Sequence, residues 1–174
     1  MGRAYFLLFL VHSLLISCET AQNEEKTVAY YFQYEYVNHA WGFSHSGFTI
    51  TPSGAVYSFS TSTSWVFASG DKISSGDLLK NISASVKADT LIPKSDIAYY
   101  QHLAEAAISG KMSEPAQRGA DMGAIICKII IPDTTDPQNI CHEVILAKTG
   151  DLEQHNLTPE AAVIAHWLTN LHIR

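Results

Sequence analysis

The first part of the folded chain alternates aromatic and other residues with a period of two. Over residues 28–37 one face carries four aromatic side chains: Tyr30, Phe32, Tyr34 and Tyr36. Such alternation is typical of a β-strand. Residues 47–51 and 55–60 are also strand-like and flank Pro-Ser-Gly at 52–54, which suits a tight turn. The pattern predicts an N-terminal strand followed by a hairpin.

The middle of the chain changes to a helical period. Apolar residues at 78, 79, 82 and 86 share one face of a helix predicted over 75–87. A second helix is predicted over 96–109, with Ser95 as its N-cap and Gly110 just beyond its end. Both helices are short and amphipathic, and we expect them to pack on one face of a sheet.

The last part of the chain returns to strands and ends in a third helix. Residues 123–131 and 140–149 are apolar, β-branched runs joined by a loop rich in turn formers, which predicts a second hairpin. Thr158-Pro159-Glu160 supplies a capping hydroxyl, a first-turn proline and an acid for a helix to about residue 171. The predicted fold is therefore α+β, with a mostly antiparallel sheet made of two hairpins and an N-terminal strand, and three short helices packed on it.

A short apolar segment, residues 4–16, follows Arg3 and closes on Leu15-Ile16-Ser17-Cys18. At about 13 residues it is shorter than the roughly 20 needed to span a bilayer as a helix. The closing run resembles the lipobox of bacterial lipoproteins. An ordinary secretory signal is the alternative, but cleavage after Ser17 would put Leu15 where a small residue is expected.

The lipobox resemblance covers only the first 18 residues and has several implications. Residues 1–17 would be a signal peptide, and Cys18 would become the lipidated N-terminus, carrying diacylglyceryl and fatty acids such as palmitate. The protein would be anchored to a membrane of the bacterial cell envelope. Glu19 is not the aspartate that in some enteric bacteria resembles an inner-membrane retention signal, so the sequence leaves open display on the outer membrane or the cell surface.

Composition fits one acidic domain. The 174 residues include 11 Lys+Arg and 17 Asp+Glu, a formal charge of −6. This balance argues against nucleic acid as a partner, because nucleic acid needs a basic surface. Residues 18–27 are polar and acidic, typical of a flexible tether, and residues 28–174 are long enough for a single domain. No motif predicts a cofactor or a metal site.

The chain has three cysteines, an odd number for an exported protein. Lipid on Cys18 leaves Cys127 and Cys141, which are symmetric about Thr134 in the second hairpin loop. In a simple antiparallel register they would face each other, and we predict a disulfide in the oxidising envelope. Two buried thiols are the alternative. A further alternative makes Cys141 a nucleophile with a distant histidine as its base.

The aromatic-rich N-terminal region is the predicted ligand surface, comprising Tyr34, Tyr36, His39, Trp41 and His45. Aromatic side chains on a sheet can stack on sugars or anchor a protein, so an envelope protein or a glycan is the expected partner. The competing interpretation places one face of this strand in the core. His39 and His45 could alternatively hold a metal ion. We predict a non-enzymatic binding or interaction module; the alternative is a metal-dependent or Cys/His hydrolase of the envelope.

Overall fold

The computed structural model describes residues 28–40, 42–60, 64–133, 136 and 138–173. The predicted signal peptide, Cys18, the predicted acidic tether and Trp41 lie outside this part. Within it the chain forms one nine-stranded sheet and three helices, and every pairing between its strands is antiparallel. The predicted α+β class with a mostly antiparallel sheet is confirmed. No helix in these ranges has both the length and the apolar character needed to cross a membrane.

The elements alternate blocks of strands with single helices. The strands are β1 (Tyr31–Asn38), β2 (Ser44–Ile50), β3 (Ala55–Ser60), β4 (Lys72–Ser74), β5 (Val86–Leu91), β6 (Ala116–Gln117), β7 (Ala124–Pro132), β8 (Ile140–Gly150) and β9 (Leu152–His155). The helices are α1 (Ser75–Ser83), α2 (Lys94–Ala107) and α3 (Pro159–Asn170). The sheet order is β5-β3-β2-β1-β7-β8-β9-β6, with β4 also paired to β8.

The sheet is larger than two hairpins and a strand, and the first helix is shorter than predicted. Helix α1 ends at Ser83, and residues 86–91, whose start was assigned to that helix, form strand β5 against β3. Val86, predicted to be buried on the helix, is 74% exposed. In residues 86–91, the hydrogen bonds made by pairing with β3 therefore outweigh a weak helical pattern of apolar residues. The predicted cap of α3 is confirmed, since Thr158 Oγ1 accepts a hydrogen bond from the Ala161 amide at 3.2 Å.

Helices α2 and α3 cover one face of the sheet and form the main core with it. The aromatic face of β1 points into this core: Phe32 is fully buried against Trp167, and Tyr34 stacks on Phe48 with ring centroids 5.4 Å apart. The side-chain amide of Gln101 on α2 pairs with the Tyr30 backbone, donating to its carbonyl at 2.6 Å and accepting from its amide at 2.8 Å. Core packing thus accounts for most of the aromatic strand.

The two hairpin cysteines lie on opposite faces of the sheet. Cys127 is opposite Ala147 and belongs to the main core, whereas Cys141 is opposite Pro132 in a second cluster. Both are buried free thiols, in place of the predicted disulfide. The predicted symmetry about Thr134 is wrong because the turn is centred near Asp136, whose carbonyl accepts from the Asn139 amide at 2.9 Å, and because the register shifts after Cys127.

Candidate functional site

The second face of the sheet carries a buried polar network on β1, β2, β7 and β8. The alternation that turns the β1 aromatics into the core turns Gln33 and Glu35 to this opposite face. The network residues are Gln33, Glu35, His45, Thr49, Lys128 and Glu143. All are buried except Glu143, which is largely buried. Because these polar groups are shielded from water, they must form hydrogen bonds with one another.

Lys128 and Glu35 are the centre of this network. The Lys128 ammonium lies 2.9 Å from Glu35 Oε1 and donates to both carboxylate oxygens of Glu143, at 3.0 and 2.9 Å. Glu35 Oε2 accepts from Gln33 at 3.0 Å and lies 3.0 Å from His45 Nε2. Within the described residues, every buried side-chain nitrogen or oxygen has a hydrogen-bond partner. The buried charges are therefore paired, as their desolvation requires.

The protonation of the network follows from these contacts. Burial alone would raise the pKa of Glu35, but the hydrogen bond from His45 and the charge of Lys128 outweigh it and lower this pKa to about 2. Burial alone would lower the pKa of Lys128, yet Glu35 and Glu143 raise it above its ordinary value. Both groups are ionised at neutral pH. An ionised carboxylate only accepts hydrogen bonds, so His45 donates through Nε2.

A covering loop, residues 64–69, closes over this network. The rings of Trp65 and Phe67 lie 5.0 and 4.9 Å from the His45 ring. The backbone of Val66 is held by Asn81 of α1, which accepts from the Val66 amide at 2.9 Å and donates to its carbonyl at 2.7 Å. The buried Asn81 side chain thus makes the two backbone hydrogen bonds that a neighbouring strand would otherwise offer to Val66. Helix α1 fixes the position of the covering loop.

A groove of about 700 Å³ opens beside Phe67, at the end of β1 and the start of β7. Glu35, Val37 and Ile126 line it from the sheet, and the rings of Phe43 and Phe67 line it at 6.0 Å from each other in a T-shaped arrangement. The remaining lining residues are Asn38, His39, Ala40, Asp121, Gly123, Ala124, Lys148, Asp151 and Leu152. The groove is therefore mostly apolar, with a few charged side chains and the paired Glu35 at its base.

The structure does not bring the predicted ligand surface together. Tyr34 packs against the main core, and the Tyr36 hydroxyl accepts from the Asn38 side-chain amide at 2.8 Å; neither tyrosine lines the groove. His45 is 1% exposed and belongs to the buried network on the other face. Among the predicted residues that the structure describes, only His39 lines the groove. Trp41 lies outside the described residues.

The predicted ligand surface included neither the buried ion pairs nor the two phenylalanines of the groove, Phe43 and Phe67. A usable signal was present in the run around Lys128, where a single lysine interrupts an otherwise apolar strand. A lysine in such a strand needs a buried counter-ion. Glu35 was a candidate, because a carboxylate in an aromatic-rich strand is also placed where it needs a partner of opposite charge. Phe67 carries no comparable signal, since its place in the groove depends on the Asn81 contact with the covering loop.

The metal and Cys/His alternatives have no assembled site in the part of the chain that the structure describes. No group of three or more His, Cys, Asp or Glu there could hold a metal ion. Phe43 contacts the rings of both His39 and His45, with centroids at 5.2 and 6.2 Å. Burial raises the pKa of Cys127 to about 12, which keeps it a thiol. Cys141 is buried with Sγ 3.3 Å from the hydroxyl of Ser75.

The fold and this geometry define a class: an α+β domain with a groove beside a buried ionic network. No protein-family model, curated protein or solved structure matches the chain. The groove and the N-terminal sequence are therefore the features that bear on its function.

Proposed function

We propose that this protein is a lipid-anchored lipoprotein of the bacterial envelope whose domain is a non-enzymatic binding module that uses the groove. The observation that carries the binding role is the groove of about 700 Å³. Sites for small ligands are clefts of about 300–1,000 Å³ with apolar walls and a few polar groups. The anchoring role is supported by the lipobox-like run that ends at Cys18.

The partner that fits best is an envelope protein segment with an apolar side chain next to a basic one. Phe43 and Phe67 are 45% and 50% exposed, so an apolar side chain placed against them would cover a large apolar area. Asp121 and Asp151 supply two carboxylates against the single ammonium of Lys148. A lysine or arginine beside the apolar side chain would complement this excess of negative charge.

A glycan fits the described lining less well than a protein segment. Sugar recognition relies on hydrogen bonds to polar side chains as well as on stacking against aromatic rings. Asn38 supplies the amide in the lining, and its Nδ2 donates to the Tyr36 hydroxyl. The aromatic wall is made of Phe43 and Phe67, which have no polar tip. These features favour a side chain with an apolar body.

The state of Glu35, at the base of the groove, supports a binding role rather than a catalytic one. Both carboxylate oxygens of Glu35 are engaged, one by Lys128 and the other by His45 and Gln33. A general base needs a pKa near the operating pH, whereas the pKa of Glu35 is lowered to about 2. Glu35 therefore serves as part of a rigid base for the groove.

Selection of a random hexapeptide phage library on the immobilised full-length protein tests the binding role. We expect enrichment of sequences with an aromatic or aliphatic residue next to lysine or arginine. Phe67→Ser should weaken binding of an enriched peptide by at least about tenfold, as expected for a central apolar anchor. Asp121→Asn should reduce the preference for the basic residue; Asp121 has φ 63°, a conformation that asparagine tolerates.

The matched control is Leu157→Ser, because Leu157 is exposed and does not line the groove. It should leave binding unchanged. Failure to enrich any sequence would refute the proposed partner, and so would enriched peptides that bind both groove variants normally. Binding to glycans that Phe67→Ser abolishes would assign the groove to the other partner class.

Growth of a bacterial host with radioactive palmitate tests the anchor separately. We expect label on the product expressed from the full-length sequence, and none on that of Cys18→Ser, which should also leave the membrane fraction. An unlabelled wild-type product would contradict lipidation but would leave the groove proposal standing.

A further inference from the structure

Lys148 is a half-buried lysine in the lining of the groove. Within the residues that the structure describes, its ammonium has no ion-pair or hydrogen-bond partner, although Asp121 and Asp151 line the same groove. One carboxylate oxygen of Asp151 accepts instead from the Met122 amide at 2.8 Å. Lys148 thus differs from Lys128, whose ammonium is held between two carboxylates.

The strand registers place Lys148 across the sheet from the aromatic wall of the groove. Lys148 on β8 is opposite Ile126 on β7, which is in turn opposite Glu35 on β1, and all three residues line the groove. The aromatic wall contacts the ring of His45 on β2, the next strand beyond β1. From β2 to β8 the sheet spans three strand spacings, ~14 Å. The apolar wall and the ammonium therefore lie on opposite sides of the groove.

A segment that fills the groove would cover Lys148. Its apolar groups would take water from the ammonium, and an ammonium without water or a counter-ion is costly to bury. The carboxylate of Glu35 is already engaged by Lys128 and His45. The partner itself must therefore supply an acceptor, and an ionised carboxylate is the strongest acceptor that a protein segment offers.

We propose that Lys148 is a specificity-determining residue of the groove and selects a partner segment that carries an aspartate or a glutamate. This inference rests on the proposed binding role and adds an acidic side chain to the apolar and basic ones. An extended segment rises about 3.4 Å per residue, and the side chains of the wall and of Lys148 shorten the gap of ~14 Å. The acidic residue then lies about two to four residues from the apolar one.

Selection of the hexapeptide library on charge variants tests the proposal. Peptides enriched on the wild-type protein should carry Asp or Glu at this spacing. Lys148→Glu puts a carboxylate in place of the ammonium, so the same position should change to lysine or arginine. Lys111→Glu is the matched control, because it makes the same charge change at an exposed lysine outside the groove. It should enrich the same acidic peptides as the wild-type protein.

Isothermal titration calorimetry measures the ion pair with one enriched hexapeptide and with its analogue, in which lysine replaces the acidic residue. Lys148→Glu should bind the acidic peptide at least about tenfold more weakly than the wild-type protein and bind the analogue more tightly. Lys148→Met should lose the preference for the acidic peptide without introducing repulsion. Far-ultraviolet circular dichroism and thermal unfolding should show that both variants are folded.

Two sets of results separate this inference from the binding role on which it rests. Enriched peptides that lack an acidic residue at this spacing would overturn the role of Lys148 and leave the groove proposal standing. Folded Lys148 variants that bind the acidic peptide as tightly as the wild-type protein would do the same. Failure to enrich any peptide, or enriched peptides that are indifferent to Phe67→Ser, would refute the binding role and this inference with it.

Discussion

Lys128 bridges diagonally from β7 to Glu35 on β1, with its ammonium 2.9 Å from the Glu35 carboxylate and both side chains less than a tenth exposed. The residue directly opposite Lys128 on β1 is Gln33, and on the other side the same ammonium reaches Glu143 of β8. One side chain thus ties three central strands together on the face that carries the groove. Removal of the Lys128 side chain should therefore lower the stability of the sheet as a whole.

We expect Lys128→Met to lower the free energy of unfolding by about 3–5 kcal/mol, because it leaves two buried carboxylates without a cation. Urea unfolding followed by circular dichroism measures this change. Lys148→Met is the matched control, since Lys148 is only half-buried at the groove, and it should change stability by about 0.5 kcal/mol or less. Similar losses for the two variants would contradict the structural role of Lys128.

Acid should destabilise the protein through Glu35. The pKa of Glu35 in the folded protein is about 2, below its ordinary value of 4.5. A lowered pKa means that this carboxylate stabilises the fold above pH 4.5 and that the contribution, about 3 kcal/mol, is lost as the pH falls towards 2. Glu35→Gln should therefore be less stable at neutral pH and show a flatter pH dependence in this window.

Urea unfolding at several pH values between 2 and 7 measures the effect. Glu105→Gln is a suitable control, because Glu105 is an exposed residue of α2. It should follow the wild-type pH dependence. A Glu35→Gln variant with the same pH slope as wild type would refute the pKa assignment.

Cys127 and Cys141 should behave as two buried thiols. Both are buried on opposite faces of the sheet, so neither can reach the other without unfolding. We expect no alkylation of either residue by iodoacetamide in the native protein, and alkylation of both after denaturation without any reductant. Mass spectrometry of peptides from oxidised samples should show no link between them; a Cys127–Cys141 peptide would disprove the register of β7 and β8.

Asn81→Asp should loosen the covering loop. The substitution keeps the size of the side chain, but its carboxylate cannot donate to the Val66 carbonyl, so one buried hydrogen bond is lost and two oxygens face each other. A loss of about 1–3 kcal/mol is expected, together with faster hydrogen exchange of the Val66 amide. Asn170→Asp on the exposed end of α3 should change neither quantity.

Local patterns predicted the elements whose signals lie within a few residues. The alternation in β1 and the Thr-Pro-Glu start of α3 both depend on neighbouring positions, and both are found in the structure. The stretch from residue 86 could not be assigned in this way. Its helical period is weak, and its strand state depends on pairing with β3, about 30 residues earlier in the chain.

The site depends still more on pairings that sequence spacing cannot supply. The contact between Lys128 and Glu35 follows from the β1–β7 register, and the separation of Cys127 from Cys141 follows from the turn at Asp136. Aromatic alternation in β1 was consistent with either a core or a ligand surface. The packing of α2 and α3 against that face decides for the core.

The amide clasp between Gln101 and the Tyr30 backbone lies at the start of β1, whereas the groove lies along the second half of the same strand and just beyond it. Tyr30 and the nearest groove residue of β1, Glu35, are five residues apart, roughly 17 Å along an extended strand. Under the proposed acylation of Cys18, the chain would join the domain close to this clasp, which would place the bilayer and the groove at opposite ends of β1. In that arrangement the groove would face partner proteins on the aqueous side, away from the lipid headgroups.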